Sequence, residues 1–284
     1  MEIINRRQRM FSISRKLRRE AKTVGFVPTM GALHEGHLTL VKEARAANDV
    51  VIVSIFVNPT QFNDKSDLAK YPRDLTADAA ILAEYEVDYI FAPEPHEIYG
   101  DGFATYVNVE GLTNTLEGES RPGHFRGVAT VVTILFNTVR PDRAYFGQKD
   151  AQQVAVIKRL TTDLGFETEI VVVPTVREES GLAMSSRNER LSAEDRKKAA
   201  VIIDSLREAK LAFKKGERNA VHLTEMVKDR IAAEPAAELD YVAVVDRDSL
   251  QSVDRIGDEE TLIAIAVRIG GVRLIDNVIL NRKQ

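Results

Sequence analysis

Between Thr23 and Val173, short apolar and β-branched runs alternate with stretches whose apolar positions recur at helical spacing. The runs Thr23–Val27, Val50–Val57, Tyr89–Phe91, Arg143–Phe146 and Glu169–Val173 read as strands, and residues near 37–48, 76–86, 126–139 and 150–164 read as helices. Strands that are apolar on both faces and separated by helices predict a parallel sheet covered on both sides, a doubly wound Rossmann-like α/β fold. The texture changes after Pro174. Ser192-Ala193-Glu194-Asp195 has a capping-box-like pattern and opens a long helix that runs to Lys214-Lys215, where Gly216 supplies the stop. A second helix covers about 219–233, and Leu239–Val245, Leu262–Val267 and Val272–Leu280 read as strands joined by Gly- and Asp-containing turns. The expected organisation is therefore a Rossmann-like domain over 1–175 and a smaller α+β domain over 176–284, with an antiparallel sheet and a short hinge near Val176.

The segment Arg6 to Lys22 holds eight basic residues against one acid, Glu20. That composition resembles a transit peptide. However, Met10, Ile13, Leu17 and Ala21 fall on one helical face just before the first core strand, so a packed helix with a solvated basic face is expected. A chain of 284 residues, 44% apolar and 29% charged, has the composition of a soluble globular protein with ample length for a core. Its net charge of −4 gives no global attraction to nucleic acid or to an anionic membrane. The longest apolar run, Leu262 to Val267, is far too short to span a bilayer. With no cysteine, disulfides, thiolate metal sites and cysteine nucleophiles are excluded, which fits a cytoplasmic location.

Candidate chemistry collects at strand ends, where open α/β sheets bind ligands. Phe26-Val27-Pro28-Thr29-Met30-Gly31-Ala32-Leu33-His34-Glu35-Gly36-His37 reads as strand, Gly-containing turn and helix start. His34 and His37 share a face of the first helical turn, where backbone N–H groups and the positive helix end favour a phosphate. A capping turn with two surface histidines is the plainer alternative. Asn58-Pro59-Thr60-Gln61-Phe62 follows the second strand, and Phe146-Gly147-Gln148-Lys149-Asp150 follows a later one. There Gly147 permits close backbone approach, Lys149 offers a cation, and Gln153 lies one turn further on. In the late loop Met184-Ser185-Ser186-Arg187-Asn188, small hydroxyls, amides and an arginine suit a polyphosphate.

An H-x-G-H sequence near the N-terminus with a late M-S-S-R loop is the layout of the nucleotidyltransferase superfamily. Within it the chain closely resembles the pantothenate synthetase (pantoate–β-alanine ligase) family. The matching stretches are the His34/His37 turn, Phe56 to Phe62, Tyr71-Pro72-Arg73, Arg121-Pro122-Gly123-His124-Phe125-Arg126-Gly127, Phe146 to Asp150 with Gln152-Gln153, and Gly181 to Asn188. They span nearly the whole chain in the right order. Ser180, where an aspartate is expected, and Ile134, where lysine is common, depart from the pattern but fall outside the groups assigned below.

The resemblance implies ATP-dependent condensation of (R)-pantoate with β-alanine to pantothenate, AMP and pyrophosphate through pantoyl adenylate, a step of pantothenate and coenzyme A biosynthesis. It assigns catalysis to His37, His34 and Lys149, with His37 the better proton donor. It maps ATP to Met30, Gly31, Ala32, Leu33, His34, Glu35, Gly36, His37, Gly147, Gln148, Lys149, Asp150, Val176, Met184, Ser185, Ser186 and Arg187. Pantoate maps to Asn58, Gln61 and Gln153, and β-alanine also to Gln61. Neutral amides suit hydroxyls because they both donate and accept. ATP as substrate implies Mg²⁺, which needs only one or two protein carboxylates. Asp78 is the candidate ligand, with Asp74 and Asp150 near the same mapped mouth. No organic prosthetic group, nucleic acid or membrane partner is expected, and a homodimer is expected from the family. Apolar Val128–Phe136 could serve that interface or the core.

Overall fold

The computed structural model describes residues 1–63, 68–69 and 71–281. It divides into two compact units: Met1–Gly147 with Val156–Val173, and Gln148–Ala155 with Pro174–Gln284.

The first unit is built on six strands, β1 (Glu2–Ile4), β2 (Val24–Thr29), β3 (Val50–Ile55), β4 (Tyr89–Phe91), β5 (Arg143–Gly147) and β6 (Glu169–Val173). They hydrogen-bond in the order β1-β4-β3-β2-β5-β6, every pair parallel. The chain thus winds outward from β2 through β3 to β4, then restarts on the other side at β5. The reversal between β2 and β5 is the topological switch point, where such sheets hold their ligands beyond the carboxyl ends of the strands. The turn after β2 and the end of β5 at Gly147 both lie there.

Helices α1 (Arg7–Arg19), α2 (Glu35–Ala47), α3 (Leu75–Ala83), α4 (His124–Val139) and α5 (Ala151–Asp163) follow the sequence pattern. One core cluster joins Val27, Val51, Val53 and Ile90 of the sheet to Leu38, Val41 and Ala44 of α2 and Leu82 of α3. Phe26 and Phe136 of α4 meet edge-on, their ring centroids 6.4 Å apart. Val128, Val131, Val132, Leu135 and Phe136 are buried within the chain itself, so most of the apolar stretch of α4 is core. Helix α1 buries Met10, Ile13 and Leu17, but Ala21 departs from the expected face. It lies past the helix end, exposed, with φ of 51°. Strand β1, three residues with two exposed, has no readable periodicity and is held by pairing with β4.

In the second unit, β7 (Ala237–Asp246), β8 (Thr261–Ile269) and β9 (Val272–Leu280) form an antiparallel sheet in that order. Its helices are α6 (Ala193–Lys198), α7 (Ala200–Lys214) and α8 (Ala220–Ala232). The Ser192 hydroxyl accepts the Asp195 amide hydrogen at 3.0 Å, as its capping pattern predicts. The long helix expected after it is instead broken at Ala199, which separates α6 from α7. Ile202, Leu206 and Phe213 of α7, with Leu223, Val227 and Ile231 of α8, pack on Ile263, Ile265 and Val267 of the central strand. No helix among the described residues is long and apolar enough to cross a membrane.

Candidate active site

The turn after β2 is fixed from outside itself. Gly31 and Ala32 have φ of 81° and 52°, a conformation that an alanine adopts only under constraint. The constraint is Asp78 of α3, 4% exposed, whose Oδ2 accepts the Ala32 amide at 3.1 Å and whose Oδ1 accepts the Leu33 amide at 2.9 Å. Consecutive amides curled around one carboxylate form an anion-binding nest. A side chain at Gly31 would place its Cβ 2.8 Å from Asp78 Oδ2, so the glycine is required sterically as well as by φ.

Helix α2 then starts with a capping box made of two histidines. His34 is the N-cap, and its Nδ1 accepts the Gly36 amide at 3.1 Å. The His34 amide in turn donates to Nδ1 of His37 at 3.4 Å, and the rings stack with centroids 4.1 Å apart. An Nδ1 that accepts from a backbone N–H carries no proton, so each neutral ring holds its proton on Nε2. The expectation of open backbone donors at this helix start needs revision. The amides of Ala32, Leu33, His34, Gly36 and His37 all bond within the protein. The capping reading therefore holds, and it does not exclude the anion-binding one: the caps consume the Nδ1 atoms and assign the ring protons to Nε2. Glu35, the first helical residue, pairs with Lys42 at 2.8 Å.

After β3 the structure brings Asn58, Gln61 and Met30 together. Asn58, 1% exposed, donates from Nδ2 to Gln61 Oε1 at 2.9 Å, and Gln61 Nε2 lies 3.1 Å from Met30 Sδ. The unassigned Arg121–Gly127 motif closes around the same loop. Arg121 donates toward His124 Nε2 at 3.2 Å, which leaves the proton on Nδ1 to be donated to the Gln61 carbonyl at 2.9 Å. A Cβ at Gly127 would stand 2.5 Å from the Thr60 carbonyl oxygen, so only glycine allows this approach. At the end of β5, a Cβ on Gly147 would meet nothing within 4 Å among the described residues.

The remaining assigned residues belong to the second unit. Lys149 lies 3.6 Å from Asp150 in a short 3₁₀ turn, Gln148–Asp150, with its side chain 16% exposed. Gln153 follows in the first turn of α5. Asn277 of β9, 4% exposed, exchanges a side-chain hydrogen bond with Gln148 and donates Nδ2 to the carbonyls of Gln148 and Lys149. Its neighbour Asp276 forms a bidentate pair with Arg177 at 2.6 and 2.9 Å, and Arg177 also holds the Gly181 carbonyl. Met184 donates its amide to the Val176 carbonyl at 2.9 Å, so these two of the residues assigned to ATP sit side by side. Ser185 caps the 3₁₀ helix Ser186–Arg190, and buried Asn188 ties that helix to Glu178 and the Ala183 carbonyl. Sequence reading passed over Asp276 and Asn277. Their one signal is a pair of adjacent polar residues in the middle of a mostly apolar strand.

A family model described as Pantoate-beta-alanine ligase matches residues 2–279. The chain belongs to the pantoate–β-alanine ligase family. Similar members include pantothenate synthetases of Syntrophotalea carbinolica, 54% identical over 98% of both chains, and of Thermosipho africanus, 50% identical over 99% of this chain and 100% of the relative. A crystal structure of pantothenate synthetase from Thermus thermophilus superposes with a TM-score of 0.90 at 45% identity, covering 98% of this chain and 99% of that one. The pantoate–β-alanine ligase of Francisella tularensis, solved with a β,γ-ATP compound and β-alanine, gives 0.80 at 41% identity, covering 98% and 97%. For a pantoate–β-alanine ligase, the described residues offer no cluster of three or more His, Asp or Glu able to hold a metal. Asp78 spends one contact of each oxygen on the turn, and Asp74 Oδ1 accepts the Ala77 amide at the start of α3.

Proposed function

We propose that this pantoate–β-alanine ligase works through a pantoyl adenylate, with two histidine Nε2–H edges and one lysine as its polar catalytic groups. The observation that carries the assignment is the histidine capping box at the switch point, because it fixes both ring tautomers before any ligand arrives. In the first half-reaction a pantoate carboxylate oxygen attacks the α-phosphorus of ATP, the bond to the bridging oxygen breaks, and pyrophosphate leaves. Such a displacement needs positioning and charge stabilisation more than a covalent nucleophile. His34 and His37 donate hydrogen bonds from Nε2 to phosphate oxygens, and the family resemblance makes His37 the better candidate to donate to the leaving pyrophosphate. Lys149 stabilises negative charge at the α-phosphate, and Ser185, Ser186 and Arg187 hold pyrophosphate. In the second half-reaction the β-alanine amine attacks the acyl carbon, the bond to AMP breaks, and the amine gives up a proton.

Gln61 and Gln153 bind pantoate, and Gln61 also serves β-alanine. Because Gln61 Oε1 accepts from Asn58, Nε2 is the donor end of the amide; one N–H reaches Met30 Sδ, and pantoate would take the other. Magnesium enters as the counter-ion of ATP, held chiefly by phosphates and water. A homodimer and a cytoplasmic location complete the proposal.

Exchange of labelled pyrophosphate into ATP, without β-alanine, tests the assignment. The wild type should exchange only when pantoate is present, and His37→Ala and Lys149→Ala should each lower the rate by about 10²–10³-fold. Exchange that ignores pantoate would require a different acceptor.

A further inference from the structure

Asn58 has no hydrogen-bonding capacity left for a substrate. Both Nδ2 hydrogens are spent, on Gln61 Oε1 and on the Gly127 carbonyl at 3.1 Å. Its Oδ1 accepts from three donors: the Thr60 amide at 3.4 Å, the Thr60 hydroxyl at 2.9 Å and the Tyr99 hydroxyl at 2.6 Å. The two hydroxyls also touch each other at 3.0 Å. This arrangement is directional. A backbone carbonyl can only accept, so the Gly127 oxygen demands the NH₂ end of Asn58; the Thr60 amide can only donate, so it demands the oxygen end, to which the two hydroxyls also donate. Reversing the Asn58 amide would set oxygen against oxygen at Gly127 and at Gln61. The orientation of Asn58 in turn decides that of Gln61, which must offer Oε1 to Asn58 and turn Nε2 the other way.

We infer that Tyr99 and Thr60 are positioning residues for pantoate, acting through Asn58 to lock Gln61 with its amide donor edge toward the substrate. Asn58 is thereby reassigned from ligand to relay. The Tyr99 ring is held edge-on against Phe103 with centroids 4.9 Å apart, and lies 6.3 Å from Phe56. Burial raises the phenol above its ordinary pKa, so it stays a proton donor across the working pH range. The selectivity that follows is chemical. A locked donor edge accepts a substrate hydroxyl or carboxylate oxygen and rejects an analogue that offers a hydrogen there. An unlocked glutamine would turn to suit either.

This inference rests on the proposed binding of pantoate at Gln61, and one experiment separates the two. Pantoate-dependent pyrophosphate exchange is measured for the wild type, Tyr99→Phe, Thr60→Val and Thr60→Ser, with melting temperatures alongside. Tyr99→Phe keeps the ring contacts and loses only the hydroxyl. It should raise the KM for pantoate about fivefold, as expected for one lost hydrogen bond, and leave the KM for ATP unchanged. Thr60→Val should act in the same way, and Thr60→Ser, which keeps the hydroxyl, should retain the wild-type value. An unchanged pantoate KM in both Tyr99→Phe and Thr60→Val, or an equal rise in both KM values, would overturn the positioning role while leaving the ligase assignment intact. Wild-type exchange without pantoate would remove the substrate reading, and the positioning role with it.

Discussion

Asp78 lies 46 residues beyond Ala32 in the chain, yet it decides the shape of the turn after β2. Replacing it with alanine leaves two amides without their acceptor and Ala32 without support for its positive φ. Asp78→Ala should therefore lose about 2–4 kcal/mol of stability, read from the denaturant midpoint, and weaken ATP binding. If Asp78 served only as a magnesium ligand, stability would be untouched and raised magnesium would restore activity. Part of this site is legible in the sequence at the residue scale. His34 and His37 stand three apart after a strand, so both their shared face and their anion chemistry could be read from spacing. The two backbone bonds to Nδ1 that fix their tautomers could not, because they depend on ring rotation. Asp78 was noticed as an acid near the mapped mouth, but its two amide partners come from a different element. Asn58 is the sharper lesson. Its place in the motif is legible in the sequence, whereas the five protein contacts that engage its amide are not.

Among the elements, the 3₁₀ helix Ser186–Arg190 is steadied through Glu178, which accepts from Asn188 at 2.7 Å and from two guanidinium nitrogens of Arg196, each at 2.7 Å. The Arg196 hydrogen bonds hold the Glu178 carboxyl below its ordinary value of 4.5. A carboxylate whose folded pKa is depressed adds stability that is fully present above 4.5 and disappears as the pH falls through the lower folded value. Glu178→Gln should thus lower the unfolding free energy at neutral pH, read from the denaturant midpoint, by on the order of 1 kcal/mol, and the difference from wild type should shrink in acid. A pH-independent difference would point to packing instead. Strands and helices with clear periods were legible to within a few residues, because burial on one or both faces imposes the pattern. Strand β1 was not, since three residues carry no period and it is held by pairing with β4. The break at Ala199 also escaped notice, because alanine favours helix on both sides and nothing local announces an interruption.

At the scale of the whole molecule, the expected division at 175/176 and the compact units differ in one segment. Gln148–Ala155, read from sequence as the end of the Rossmann-like domain, groups with the second unit. Linear reading misses this because β5 runs straight into the segment, and only the Asn277 side chain on β9 reveals its allegiance. A fragment of 176–284 therefore lacks the backbone that Asn277 holds, and should melt at lower temperature and less cooperatively than a fusion of 148–155 to 174–284. The Rossmann-like sheet supplies the histidine turn, but Lys149 travels with the other unit. In an inheritance sense, the cation is not a possession of the nucleotide fold. A chimera that exchanges C-terminal units between relatives at residue 175 would pair each Lys149 backbone with a foreign Asn277. Recombination that respects the protein's own seams has to move two separate stretches of gene at once.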